Sequence, residues 1–436
     1  MTLANTPANP LASGAFADDV DVVVIGAGAA GVGAGLALAK AGVSFVVIEA
    51  RSRSGGRAWT SLIDAGGASY PVDMGCGWLH SADRNPLVAV ARDLGLTVDE
   101  TIPPWQREMA ADGFSASQQR GFRRAQEQFY TRLEKAAGEP QDRPAAELLE
   151  PGSPWAPLMN AISTYVNGVE LDRLSVKDFD NYHDTEVNYR VVEGYGTLIA
   201  RHGASLPIVY DCPVQTVDHS GTRIRVTCAK GEVSARAVIV TVPTNLIAQE
   251  KIVFTPALPD KLDAAANLPL GQDDKLFLSV ERAEDLPDNS RLFGSMERVA
   301  TGNYHLRPFG RPLIEGYYGG ACARDLEKQG LEGFAAFARE ELVSMLGSAW
   351  RDRLKPLAVS GWAQDAFATG SYSHALPGHW DKRAVLAEPV NERLFFAGEA
   401  TSPHFFSTAH GAYESGERAA QEALAGLKIA AKALTR

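Results

Sequence analysis

The chain has 436 residues, 45% of them hydrophobic and 22% charged, the balance of an ordinary globular enzyme of two-domain length. Its formal net charge of −11, from 53 acidic against 42 basic side chains, excludes a broad nucleic-acid or anionic-membrane face and would steer small cations inward. Cys76, Cys212, Cys228 and Cys322 lie too far apart along the chain for a metal knuckle or a CxxC redox pair, so they read as buried thiols and no metal site is expected.

The first twenty residues carry no Lys or Arg and no sustained apolar core, unlike a secretory or organelle presequence. They read as a loose tail, Thr2 to Asp19, rich in Ala, Pro and Asn. No stretch approaches the roughly 20 apolar residues of a membrane helix, and Lys428 and Lys432 interrupt the last helical segment. The expectation is a soluble cytoplasmic protein with neither nucleic-acid nor membrane partners.

An apolar strand, Asp21 to Ile25, runs into Gly26-Ala27-Gly28-Ala29-Ala30-Gly31 and an Ala/Leu-rich helical stretch to Ala41. A second apolar strand, Val43 to Ile48, ends in Glu49. This order of strand, GxGxxG, helix, strand and acid is a dinucleotide-binding fingerprint. Gly26 makes the tight turn, Gly28 lets the backbone approach a pyrophosphate, and Gly31 lets the helix pack on the strand. The helix N-terminus at Ala29 and Ala30 offers N–H groups to the anion, and Glu49 is placed to accept from ribose hydroxyls.

The fingerprint alone does not separate NAD from FAD. The residues that follow, Glu49-Ala50-Arg51-Ser52-Arg53-Ser54-Gly55-Gly56-Arg57, favour the larger cofactor: Arg57, helped by Arg51, suits phosphate oxygens, and Gly55-Gly56 leave room for an extended molecule.

Further blocks follow in chain order. They are Asp73-Met74-Gly75-Cys76-Gly77-Trp78-Leu79-His80, a polar helix-prone segment over 111–137, a linker-like stretch over 140–157, and Val192-Glu193-Gly194-Tyr195-Gly196-Thr197-Leu198. Strands are predicted over 223–227 and 237–240, beyond Val214 and before Thr241-Val242-Pro243. Then come Leu270-Gly271-Gln272-Asp273-Asp274-Lys275, Trp362-Ala363-Gln364-Asp365 and Gly370-Ser371-Tyr372-Ser373. The last is a short strand, Leu394 to Ala397, ending at Gly398-Glu399, with Ser407-Thr408-Ala409-His410-Gly411-Ala412 leading into a helix from about His410 or Gly411.

Taken together, from residue 21 to about 425, these blocks resemble the FAD-dependent amine oxidase family, which includes monoamine and polyamine oxidases. The resemblance implies an α/β fold in which a Rossmann-type FAD-binding domain, about 1–83, 191–276 and 391–436, interleaves with a smaller domain. That substrate domain, about 84–190 and 277–390, would be a mixed sheet with helices. Non-covalent FAD is implied, with contacts from Ala50, Gly56, the flavin-side loop Gly75, Cys76, Gly77 and Trp78, the Val214 backbone at adenine, and Trp362 in the flavin-ring wall. Gly398, Glu399, Thr408 and Ala409 would complete the site, the last helix pointing its N-terminus at the flavin pyrimidine, where reduced flavin is negative.

For catalysis the resemblance implies four residues. Lys275 would hold a water near flavin N5 and assist the reaction with oxygen; Tyr372 would form one wall of an aromatic cage around the amine. Thr408 takes the place of the second cage aromatic, and Ser371 that of a cysteine that bonds flavin in some monoamine oxidases. His80 is the candidate for substrate recognition or proton handling, and His410 for positioning at the helix start. Glu170 and Asp172 fall where such enzymes may place an acid for a distal amine. The reaction implied is hydride transfer from the carbon beside the nitrogen of an aliphatic amine, giving imine, then aldehyde, with peroxide formed from oxygen. Alternatives are an L-amino-acid oxidase, using Arg173 or Arg190 for the carboxylate, a desaturase or porphyrinogen-type oxidase with an apolar tunnel, and a non-catalytic carrier on the same fold.

Overall fold

The computed structural model describes residues 19–107 and 114–428. Two sheets organise it. The first begins with the strand Val20–Ile25, flanked in parallel by Gly231–Val240 and Phe45–Ile48. Val22, Val23 and Val24 are wholly buried, as a strand covered on both faces requires, which is why this segment reads as an apolar run without alternation. The sheet continues through Ile224–Cys228, Val214–Asp218 and Val253–Thr255 on one side and Ile208–Val209 on the other, and Leu394–Phe396 pairs with the end of Gly231–Val240. Three separated stretches of chain therefore build one nucleotide-binding layer. Cys212 and Cys228 meet across it with their sulfur atoms 2.7 Å apart.

The helix Ala29–Ala41 packs against the last helix, Ala409–Gly426. The small residues of both make this possible: a Cβ at Gly33 would lie 2.4 Å from the Tyr413 carbonyl oxygen, and one at Gly416 would lie 1.9 Å from that of Ala30.

The second sheet is antiparallel throughout, in the order Ser290–Phe293, Asn303–Leu306, Leu313–Gly319, Asp273–Val280, Leu354–Val359. Strand periodicity divides its central member. Leu276, Leu278 and Val280 join Tyr304, Tyr318, Phe334 and Leu342 in a core under the helix Gly330–Leu346, whereas Phe277 packs with Ile63, Val72 and Met74. The second face, carrying Lys275, thus turns toward the hairpin of Thr60–Ala65 and Ala68–Asp73. Because Asp273–Val280 belongs wholly to this sheet, the domain break expected at residue 276 would cut a strand, and we move it to the loop before Asp273.

Other boundaries differ modestly from expectation. The helix expected over 111–137 begins at Ala116, where Ser115 and Gln118 form a reciprocal capping box; residues 111–113 lie outside the described residues, as does the tail before Asp19. The linker-like stretch is pinned down, since Asp142 accepts from the Ser175 hydroxyl and the Lys177 and Gly378 N–H groups. Among the described residues no helix is long and apolar enough to cross a membrane.

Candidate active site

The nucleotide end is built from the first βαβ turn. Gly26 adopts φ +103°, and a Cβ at Gly31 would sit 1.8 Å from the Gly26 carbonyl oxygen, so both glycines are demanded by the turn itself. Gly28 is different: a Cβ there would meet no protein atom nearer than 3.9 Å. Its smallness is what a ligand running over the loop needs, and it lies beside Gly55 in an isolated bridge, with Gly56 adjacent. Among the described residues no side chain caps the helix that starts at Ala29, so the first N–H groups, those of Ala29, Ala30 and Gly31, are available to an anion. Glu49 is 3% exposed and accepts from the Ala27 N–H at 2.7 Å and the Arg51 N–H at 2.8 Å. Its carbonyl oxygen accepts from Cys212, which brings Val214, at the start of its strand, to the same end of the sheet. These residues fit the adenosine and pyrophosphate of FAD.

The expected phosphate arginines have protein partners. Arg51 reaches Asp365 at 2.6 Å, past Ala50 and the Glu49 carboxylate, and Arg57 pairs with Glu399 at 3.1 Å and donates to the Ser371 carbonyl oxygen. Glu399 follows Gly398 and is buried, where it also accepts from Ser373 and from the Ser407 N–H at 2.9 Å. Burial would raise its pKa, but Arg57 and Arg383 hold it below the ordinary carboxylate value. Arg57 and Glu399 therefore couple the basic loop to the C-terminal block.

The flavin-side loop is folded around Asp73. Burial raises the Asp73 pKa, and its carboxylate accepts from the Thr60 hydroxyl at 2.6 Å and from the Tyr195 and Gly196 N–H groups at 3.0 and 3.3 Å. The acid thus caps the helix Tyr195–His202 and brings two sequence blocks together. Gly75 lies against Arg57, and the Trp362 ring donates its N–H to the Met74 carbonyl oxygen at 3.2 Å. Burial pushes the Cys76 thiol up to about 12, so it is no thiolate nucleophile. A Cβ at Gly77 would lie 3.3 Å from Lys275 Nζ, which itself donates to the Asp73 carbonyl oxygen and to Glu315, both at 3.0 Å.

Glu315 is the residue the sequence reading missed. It sits on the strand Leu313–Gly319, 1% exposed, between Lys275 at 3.0 Å and Arg190 at 3.2 Å. Burial opposes its charge, but Arg190 and Lys275 hold its pKa well below the ordinary value. Burial likewise opposes the Lys275 charge, and Glu315 raises its pKa overall, so this ammonium stays charged in a dry setting. Arg190 also lies 5.0 Å over the Trp78 ring. The one sequence signal was an acid in the apolar run Leu313-Ile314-Glu315-Gly316-Tyr317-Tyr318.

His80 lies elsewhere on the rim. Its Nδ1 is 2.6 Å from Asn188 Oδ1, and because that oxygen can only accept, the neutral ring carries its proton on Nδ1 and keeps Nε2 as acceptor. Burial lowers its pKa, against the effect of Asp184 and of Asn188. Burial, with His80 nearby, pushes His410 down to about 3. Tyr372 donates its hydroxyl to the Tyr165 carbonyl oxygen at 2.6 Å, and burial, then Asp273, raises its pKa well above the phenol value. Thr408 leaves the catalytic set. Its hydroxyl donates to the Phe405 carbonyl oxygen at 2.6 Å and accepts from the Gly411 N–H at 3.0 Å, making it the N-cap of a helix that starts at Ala409. Neither distal acid named above lies free in the site: Glu170 accepts from the Ala321 N–H and pairs with Arg324, and Asp172 is exposed.

Ser371, where a covalent attachment would need a thiol, has a buried hydroxyl without a partner among the described residues. Acid precipitation of the yellow protein is therefore expected to leave the colour in the supernatant. Colour retained in the pellet would refute a non-covalent site.

A family model for flavin-containing amine oxidoreductases matches residues 29–424. Polyamine oxidase 2 of Arabidopsis thaliana is 28% identical over 420 residues, covering 88% of this chain and 83% of that one. Lysine-specific histone demethylase 1 homolog 3 of Oryza sativa subsp. japonica is 29% identical over 418 residues, covering 87% of this chain and 51% of that one, so the chain spans about half the demethylase homologue. Among solved structures, wild-type putrescine oxidase bound to putrescine matches with a TM-score of 0.74 at 20% identity, covering 93% and 99% of the two chains. A redesigned double mutant of putrescine oxidase matches with a TM-score of 0.77 at 21% identity, covering 94% and 99%.

Proposed function

The chain belongs to the flavin-containing amine oxidoreductases, and on that premise we propose that this FAD-dependent amine oxidase acts on a short aliphatic diamine or polyamine and passes electrons to oxygen. Two of the proteins it resembles, polyamine oxidase 2 and putrescine oxidase, act on such amines by their names. The arginines that an amino-acid carboxylate would need are otherwise placed: Arg190 pairs with Glu315 and Arg173 is exposed. The observation that carries the reading is Lys275, a permanent buried cation beside the flavin-side loop.

FAD, when bound, supplies the hydride acceptor and the route of electrons to oxygen. The remaining work falls to the chain. Glu49 and the helix N-terminus at Ala29 hold the nucleotide end, and Thr408 fixes the start of the helix whose dipole meets the ring end. Tyr372 offers a ring face to the amine. An aliphatic ammonium in water has a pKa of roughly 10, whereas burial holds His80 below its ordinary value, so full proton transfer to the imidazole is uphill. His80 therefore accepts a hydrogen bond from the incoming amine at Nε2 and orients it, and desolvation in the site does most to favour the neutral amine.

Replacing Lys275 by Met keeps the length and removes the charge. Amine-driven bleaching of the yellow protein is expected to slow only modestly, whereas recovery of colour in oxygenated buffer should slow roughly tenfold or more, each tenfold being about 1.4 kcal/mol. Stopped-flow absorbance separates the two, and recovery at the wild-type rate would leave Lys275 a structural residue only. The substrate class is tested by peroxide release over monoamines, diamines, polyamines, N-acetylated polyamines and amino acids; turnover confined to amino acids would overturn the reading.

A further inference from the structure

The two acids that open the strand Asp273–Val280 fall on opposite faces of the second sheet. Asp274 is fully engaged: it accepts from the Ser360 hydroxyl at 2.9 Å, from the Trp362 N–H at 3.2 Å and from the Gln272 amide. It thereby fixes the Trp362 wall. Asp273 shares the face of Lys275 and pairs opposite Gly319, where the Thr164 backbone packs in place of a side chain. Among the described residues neither oxygen of Asp273 has a hydrogen bond or an ion pair, and Oδ1 is shut off from solvent without a partner. Its side chain nonetheless keeps partial exposure, so space reaches it on the Lys275 face.

What surrounds that space is suited to a cation. The Tyr372 and Tyr165 phenols are close enough that Asp273 raises the pKa of each. Lys275, the cation two residues along the strand, is already held by Glu315. Burial, with Asp274 and Glu315 adding to it, raises the Asp273 pKa well above the carboxylate value, Lys275 alone opposing. An unpaired buried carboxylate is a costly group, and an arriving ammonium removes that cost.

We propose that Asp273 binds the second, non-reacting ammonium of a diamine segment in the substrate. The inference rests on the diamine or polyamine reading above and names the residue that carries it. Two residues of β-strand separate Asp273 from Lys275 by about 7 Å. A four-carbon diamine, five bonds of about 1.5 Å in zigzag, sets its nitrogens about 6 Å apart. A diamine lying along the strand therefore places one nitrogen at the Lys275 end and the other at Asp273.

The test compares putrescine with butylamine on the FAD-loaded wild type, Asp273→Asn and Asp273→Glu. Asparagine keeps the shape and removes the charge. In Asp273→Asn the KM for putrescine is expected to rise at least tenfold with kcat and flavin content little changed, while both constants for butylamine move less than twofold. Asp273→Glu should keep most of the preference for putrescine. An unchanged KM for putrescine, or equal losses on both amines, overturns the assignment. A wild type that oxidises neither putrescine nor any polyamine overturns the substrate reading, and with it the assignment.

Discussion

Arg383→Met is expected to lower the unfolding free energy by about 3–5 kcal/mol, the cost of leaving one member of a buried ion pair alone. Arg383 is 4% exposed in the helix Lys382–Ala387. Its Nε and Nη2 donate to the two oxygens of Asp178 at 2.6 and 2.8 Å, and Nη1 donates to the Ser373 hydroxyl at 2.8 Å. The guanidinium lies 3.7 Å from the centroid of the Phe406 ring. Asp178 adds one bond of its own, from the Ala375 N–H at 2.9 Å. Methionine can fill the volume and replace none of these bonds, so Asp178 is left buried with one backbone donor.

The same substitution should reach the cofactor. Ser373, which accepts from Arg383, donates to Glu399 at 2.7 Å, and Glu399 pairs with Arg57. A relay of hydrogen bonds thus runs from the helix Lys382–Ala387 to the basic loop. Denaturant titration of FAD-loaded protein measures the stability change through the shift in midpoint at constant slope. A shift worth less than about 1 kcal/mol would mean that the pair is easily hydrated and contributes little. Removing both partners, as Asp178→Leu with Arg383→Met, should recover part of the loss, since the uncompensated charge is gone.

How far the sequence could be read depends on the range of the interaction. The glycine turn, the two apolar strands and Glu49 are local signals, and they fold as expected to within a residue or two. Lys275, Trp362 and Glu399 came from block order, because resemblance carries positions that no local pattern reveals. Glu315 gave only the faint signal of an acid in an apolar run: its partners Arg190 and Lys275 stand 125 and 40 residues away, and the register of Leu313–Gly319 against Asp273–Val280 brings Lys275 to it. In Asp273-Asp274-Lys275, period-two alternation decides which acid faces the site, yet that required knowing that the strand begins at Asp273. The capping role of Thr408 was hidden for a comparable reason. With the helix starting at Ala409 rather than at about His410, its hydroxyl is the N-cap.

Glu49→Ala is expected to yield largely colourless protein. The carboxylate organises two loops at once, one oxygen accepting from the Ala27 N–H inside the glycine turn and the other from the Arg51 N–H at the head of the basic loop. Each is a hydrogen bond to a charged group, worth roughly 1.5–3 kcal/mol, and at 3% exposure water cannot readily take over. Alanine loses both and frees the two loops that must be set before FAD arrives. Glutamine is an informative companion: its carbonyl oxygen can keep one bond, but its amide N–H groups would face the second backbone donor. Glu49→Gln should therefore retain more FAD than alanine and less than wild type. The measurement is reconstitution of apoprotein with FAD, followed by absorbance, with circular dichroism to establish that the chain is folded. A folded Glu49→Ala protein that binds FAD with wild-type affinity would place the nucleotide away from the first βαβ turn.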